Sequence, residues 1–197
     1  MPAETGQEWS HEDEQHLIHR IRHGETDRFE ELIRRHQGHV VRLVSRRVPT
    51  ADVEEVAHDV FIRAYIGLAQ YSKAVRFDHW LSGIAVRACV DFWRAQKRKD
   101  LPVSHLTSDH HQWIEQVLAS RSDENFRSRA RQREAADVLD WALGHLSPEN
   151  RAVLTLVYLE GHSVRDAARL LGWSLVTVKV RAHRARRLLR KILSQHV

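Results

Sequence analysis

Seven cations fall between Lys179 and Lys191 (Lys179, Arg181, Arg184, Arg186, Arg187, Arg190 and Lys191), and no carboxylate follows Asp166 to neutralise them. Lysine and arginine at helical spacing can hold a row of phosphates. From the first turns of a helix presented by a tight turn they also reach base edges in a DNA major groove. Ser174, Thr177, Lys179, Arg181, Arg184 and Arg187 are the candidates for that contact. A second set, Lys73, Arg76, Arg87, Arg94, Lys97 and Arg98, is interleaved with the rings Tyr71, Phe77, Trp80, Phe92 and Trp93. Rings among cations suit single-stranded nucleic acid, because bases stack on the rings while the cations follow the phosphates. Helical spacing by itself gives Trp80 and Phe92 a core role and leaves Tyr71, Phe77 and Trp93 undecided between core and strand.

The elements that must position these groups follow from caps and periodicity. Ser163 and Ser174 each stand before an apolar-periodic run, where a hydroxyl can cap unpaired backbone N–H groups, and Gly172-Trp173 supplies a turn between the runs. In the second run Leu175, Val178, Ala182, Ala185, Leu189 and Ile192 form one apolar stripe. The segment therefore reads as a helix-turn-helix. Upstream, apolar residues three and four apart predict helices over 12–23, from Thr26 to Val48, from Thr50 or Asp52 to about Leu68, and over 77–99. A further helix built on Ala136 to Leu146, and one opened by Ser147-Pro148, precede the helix-turn-helix. The expected fold is all-α: two small helical domains, 12–99 and 135–197, joined by a flexible linker over 100–134, with residues 1–11 disordered.

Charge separates the two halves. From Leu146 onward ten Lys/Arg face three Asp/Glu, whereas residues 1–145 hold 21 against 23, so the whole excess of +5 lies in the C-terminal segment. Such asymmetry points to nucleic acid at one end and a basic protein surface at the other. The single Cys89 excludes an internal disulfide, and its apolar helical neighbours make it a core residue. No apolar run approaches the roughly 20 residues of a membrane span, so a cytoplasmic protein is expected. Among 15 histidines, His16, His19 and His23 share a helix face and His105, His110 and His111 lie in the linker. Neither group has the cysteine or carboxylate company of a zinc site, and no metal or other cofactor is expected. No phosphate-binding glycine loop or nucleophile motif occurs, so catalysis by this chain alone is not expected.

Two motif sets stand in a recognisable order. LSPENRAVLTLVYLEGHSVRDAARLLGWSLVTVKVRAHRARRLL resembles region four of bacterial sigma factors of the extracytoplasmic-function (ECF) group. FEELIRRHQGHVVRLV, DVEEVAHDVFIRAY and FDHWLSGIAVRACVDFWR resemble their regions 2.1, 2.2 and 2.3 to 2.4. The likeness runs from about Asp13 to Leu193. His58 stands where the family commonly has glutamine, and Arg87 where it has asparagine.

The resemblance implies a specificity subunit of RNA polymerase that directs transcription initiation of a stress- or signal-responsive regulon. Its partners would be core RNA polymerase, through the β′ clamp helices and the β subunit, promoter DNA and an anti-sigma factor. Glu54, Glu55, His58, Asp59, Phe61 and Ile62 would present the polymerase-binding surface. Lys73, Arg76, Trp80, Arg87, Arg94, Lys97 and Arg98 would engage the minus-ten element, and Ser174 to Arg187 the minus-thirty-five element. The alternative is a helix-turn-helix regulator that does not bind core polymerase as a sigma subunit.

Overall fold

A computed structural model describes residues 11–99, 138–139 and 141–194, and every regular element among them is helical. In chain order these are α1 (His11–Arg22), α2 (Phe29–Ser45), α3 (Val53–Gly67), α4 (Phe77–Lys99), α5 (Pro148–Leu154), α6 (Val164–Leu171) and α7 (Leu175–Ser194). Helical residues at 138–139 and 141–144 precede α5. The disorder expected at 1–11 falls outside the described residues but for His11, which opens α1, as does the linker expected at 100–134 with its histidines. The chain divides into two compact units, one running to Phe92 and including Ala168–Trp173, the other comprising Trp93–Ala167 and Ser174 onward.

In the first unit, α1 stops where Gly24 takes φ +111°, a left-handed value that costs glycine little. The Gly24 N–H bonds Ile21 O at 3.2 Å and the Glu25 N–H bonds Arg20 O at 3.2 Å, the paired bonds of a Schellman end. Thr26 and Thr50 open short 3-10 turns rather than capping: neither α2 nor α3 has a side-chain cap bond. Leu32, Val40 and Val44 of α2, Val60 and Ala64 of α3 and Leu81 of α4 are fully buried in one core. Burying an aliphatic side chain of this size contributes ~1.5–3 kcal/mol, so this core carries most of the unit's stability. Cys89 lies in it, 3% exposed.

In the second unit, Ser147 caps α5 by accepting the Asn150 N–H at 3.3 Å, with Pro148 in the first turn, where its missing N–H costs nothing. The helix then widens into a π turn over Thr155–Leu159. Leu143, Leu146, Leu154 and Ala185 form its core, with Leu139, Leu189 and Ile192 packed on them.

Candidate nucleic-acid interface

The turn before α7 is built from three local devices. Ser163 accepts the Asp166 N–H at 3.1 Å and donates to the Asp166 carboxylate at 2.5 Å, which fastens the start of α6. Gly172, at φ +70°, ends α6, with its N–H on Arg169 O at 3.2 Å and the Trp173 N–H on Ala168 O at 3.0 Å. Ser174 accepts the Thr177 N–H at 3.1 Å, and its hydroxyl lies 2.8 Å from the Thr177 hydroxyl. Both serines therefore cap, as the sequence predicts, and Ser174 spends its acceptor on α7 itself.

The buried side of α7 is Val178, Ala182 and Ala185, each 5% exposed or less. Leu175, assigned to the same stripe from sequence, is instead 38% exposed, because it begins the helix one turn before the packed part. Lys179, Arg184 and Arg187 are exposed. Arg181 is half-buried on the flank, since 100° per residue sets it nearer the packed side than the outward line, and Thr177 is half-buried in the first turn, beside the Ser174 hydroxyl. That outward line consists of Val176, Val180, His183 and Arg187, all exposed. Reading α7 by charge passes over Val176 and Val180; a helical projection centred opposite Val178 finds them.

The second cationic set has a different setting. Tyr71 and Phe77 are buried, 4% and 1% exposed, and pack edge-on with ring centroids 5.5 Å apart. The half-buried Trp80 ring lies 5.2 Å from Tyr71 and 5.4 Å from Phe77. Gly67 makes room for it: a Cβ there would approach Trp80 Cζ2 to 3.3 Å. Tyr71 and Phe77 thus hold the loop from within, and Trp80 alone of the three retains a substantial exposed surface. Burial pushes the Tyr71 phenol up, so its hydroxyl stays protonated; it donates to Val75 O at 2.6 Å and accepts from Gln15 Nε2 at 3.0 Å.

Lys73 and Arg76 are exposed on that loop, Arg76 held by Asp78 at 2.8 Å. Arg87 Nη1 lies 3.1 Å from the point a Cβ on Gly83 would occupy, and burial followed by the charge of Arg63 lowers its pKa. Arg94, Lys97 and Arg98 are exposed near the end of α4, with Arg94 Nε 2.8 Å from Glu149 Oε1 inside the second unit.

On α3, Glu54, Glu55 and His58 are exposed, and Ile62 is 46% exposed. Phe61 corrects the sequence reading of this surface. It is 8% exposed and packs in the core with Val56, Ala57, Val60 and Ala64, because it lies on their side of the helix. Asp59 Oδ2 is 2.8 Å from Arg63 Nε, and Arg63 Nη1 reaches Asp91 Oδ2 at 2.6 Å, so this arginine ties α3 to α4. Ile66, passed over from sequence, is 73% exposed and extends the apolar part of the face. The ring centroids of His19 on α1 and His23 just after it lie 4.0 Å apart. Among the described residues no group of three or more His, Cys, Asp or Glu could hold a metal, and no helix is long and apolar enough to cross a membrane.

Comparison with known proteins places this geometry in a family. Residues 32–99 match the model for sigma-70 region 2, and residues 136–189 the model for sigma-70, region 4. The chain is 30% identical over 173 residues to the ECF RNA polymerase sigma-E factor of Escherichia coli (strain K12), covering 88% of this chain and 90% of that one. It is 31% identical over 171 residues to the ECF RNA polymerase sigma factor SigM of Mycobacterium tuberculosis (strain ATCC 35801 / TMC 107 / Erdman), covering 86% and 79%. In fold it is similar to CnrH, solved in complex with the cytosolic domain of CnrY, with a TM-score of 0.50, 23% identity and coverage of 92% and 97%. The buried stripes that shape α3 and α7 and the two matched regions agree: the chain belongs to the ECF RNA polymerase sigma factors.

Proposed function

We propose that this chain directs initiation through three surfaces. The outer face of α3, with Glu54, Glu55, His58, Asp59 and Ile62, docks on the β′ clamp helices of core RNA polymerase. Lys73, Arg76, Trp80, Arg87, Arg94, Lys97 and Arg98 follow the strand that opens at the minus-ten element. Ser174, Thr177, Lys179, Arg181, Arg184 and Arg187 engage the minus-thirty-five element as duplex. In this reading domains 12–99 and 135–197 each carry one promoter reader, and the linker at 100–134 holds both on one promoter, raising affinity through effective concentration.

One observation carries the reading. The same chain presents an acidic and apolar outer face on α3 and a cationic outer face on α7, each opposite a fully packed side. Acid on one and base on the other suit two different partners, a protein surface and a nucleic acid. The chain acts in the cytoplasm and adds specificity to a polymerase without chemistry of its own. An anti-sigma factor that covers these faces is the further partner that family membership suggests.

Run-off transcription from fragments of the source genome, with core polymerase and the purified chain, tests this. Discrete starts are expected only when the chain is present. Glu54→Lys with Ile62→Glu should abolish them by weakening assembly with core, while binding to an isolated upstream duplex persists. Duplex binding without any initiation would instead identify a helix-turn-helix regulator.

A further inference from the structure

We propose that Val176 and Val180 form a methyl-reading ridge on α7 that selects thymines in the duplex this helix engages. The inference rests on the duplex-reading role given above and adds a base preference to it. Val176 is 69% exposed and Val180 43%, while Val178, Ala182 and Ala185 on the opposite side are buried. Residues four apart share a helix face, so the two valines lie one above the other, with His183 and Arg187 continuing their line. Lys179 and Arg184, both exposed, flank it.

A single exposed valine is ordinary. Two in register along the centre of a cationic helix face are less so, since both leave much of their surface to water and valine is a poorer helix former than alanine. The fold does not account for them. A duplex does: in the major groove the thymine C5-methyl is the apolar feature a side chain can meet, and arginine and lysine on either side hold the phosphates. Those cations favour DNA over an apolar protein as the occupant. The spacing also fits, because four helical residues rise about 6 Å, close to two base-pair steps of about 3.4 Å each. Thymines within two steps of one another would meet the pair.

The test uses the holoenzyme formed from core polymerase and the full chain. Duplexes are first selected from a random library, and each thymine of the selected upstream element is then replaced by deoxyuridine, which removes only the C5-methyl group. At one or two neighbouring positions wild type should lose affinity about fourfold per methyl, the equivalent of ~0.8 kcal/mol. The double variant Val176→Ser, Val180→Ser, which removes both methyl groups of each valine at exposed positions, should bind thymine and deoxyuridine duplexes alike. If no position responds to demethylation, or if the double variant responds as strongly as wild type, the ridge is overturned. In that case continued sensitivity of duplex binding to Lys179→Ala and Arg187→Ala would leave the duplex-reading role standing. Disappearance of that sensitivity as well would remove both.

Discussion

The Tyr71 hydroxyl donates to the Val75 carbonyl at 2.6 Å while accepting from Gln15 Nε2 at 3.0 Å, so one buried ring ties the cationic loop after α3 to α1. The loop carries Lys73 and Arg76 outside and its aromatic anchor inside. Tyr71→Phe removes only the oxygen. It should cost about 1 kcal/mol of stability and weaken binding of single-stranded minus-ten DNA, leaving an isolated upstream duplex unaffected. Urea unfolding and fluorescence anisotropy on the two DNAs measure this; equal weakening on both would show that the bond does not act through the loop.

A second buried contact joins α1 to α2, with His36 Nε2 2.8 Å from Glu14 Oε1 and both side chains about nine-tenths buried. Arg35 Nε lies 3.8 Å from the same oxygen. His36→Ala takes the 2.8 Å bond from the buried Glu14 carboxylate and should destabilise the fold by ~1–3 kcal/mol. Leucine at both positions should recover part of that stability, since an apolar pair needs no buried hydrogen bond and the Arg35 side chain, 30% exposed, can turn to water. Urea midpoints of the single and double variants give the comparison, and additive destabilisation would contradict it.

The His39 ring lies 2.8 Å from the Ser82 hydroxyl, and Ser82 in turn donates to Asp78 O at 2.7 Å. Burial, the leading cause, lowers the His39 pKa below its ordinary 6.5. Above about pH 6.5 the ring is neutral in folded and unfolded chains alike. As pH falls through that value the unfolded chain takes up the proton first, so stability declines toward the folded pKa. His39→Gln should therefore show a smaller drop in urea midpoint between pH 7.5 and 5.5 than wild type. An identical drop would mean that His39 does not contribute to this dependence.

The cations of α7 are graded by exposure. Lys179→Ala, Arg184→Ala and Arg187→Ala should each weaken duplex binding for every sequence and flatten the slope of log K against log salt by about 0.9 for each phosphate no longer neutralised. Arg181→Ala, on the half-buried flank, should change the slope less. Anisotropy titrations across a salt series measure it; an unchanged slope for the three exposed variants would remove them from the interface.

Much of this architecture was legible because it is local. A serine before an apolar run, a glycine after one, and apolar residues at three and four mark helix starts, ends and inner faces without reference to the rest of the chain. Ser147, Ser163, Ser174, Gly24 and Gly172 behave as those rules require. Thr26 and Thr50 do not, because the chain enters α2 and α3 through 3-10 turns in which their hydroxyls make no cap bond.

The order of residues was enough to dictate an all-α chain, the helix-turn-helix, the side of α7 that packs through Val178, Ala182 and Ala185, and the family. Helical periodicity and backbone capping are properties of neighbours within a few residues, and family motifs are strings. It took the folded arrangement to settle which rings of the cationic loop turn inward, that Phe61 belongs to the core, and that Glu14 meets His36 and Tyr71 meets Val75 and Gln15. Those outcomes depend on where α1, α2 and α4 come to lie. An aromatic ring beside a lysine has the same spacing whether it faces a base or a leucine, and packing decides between them.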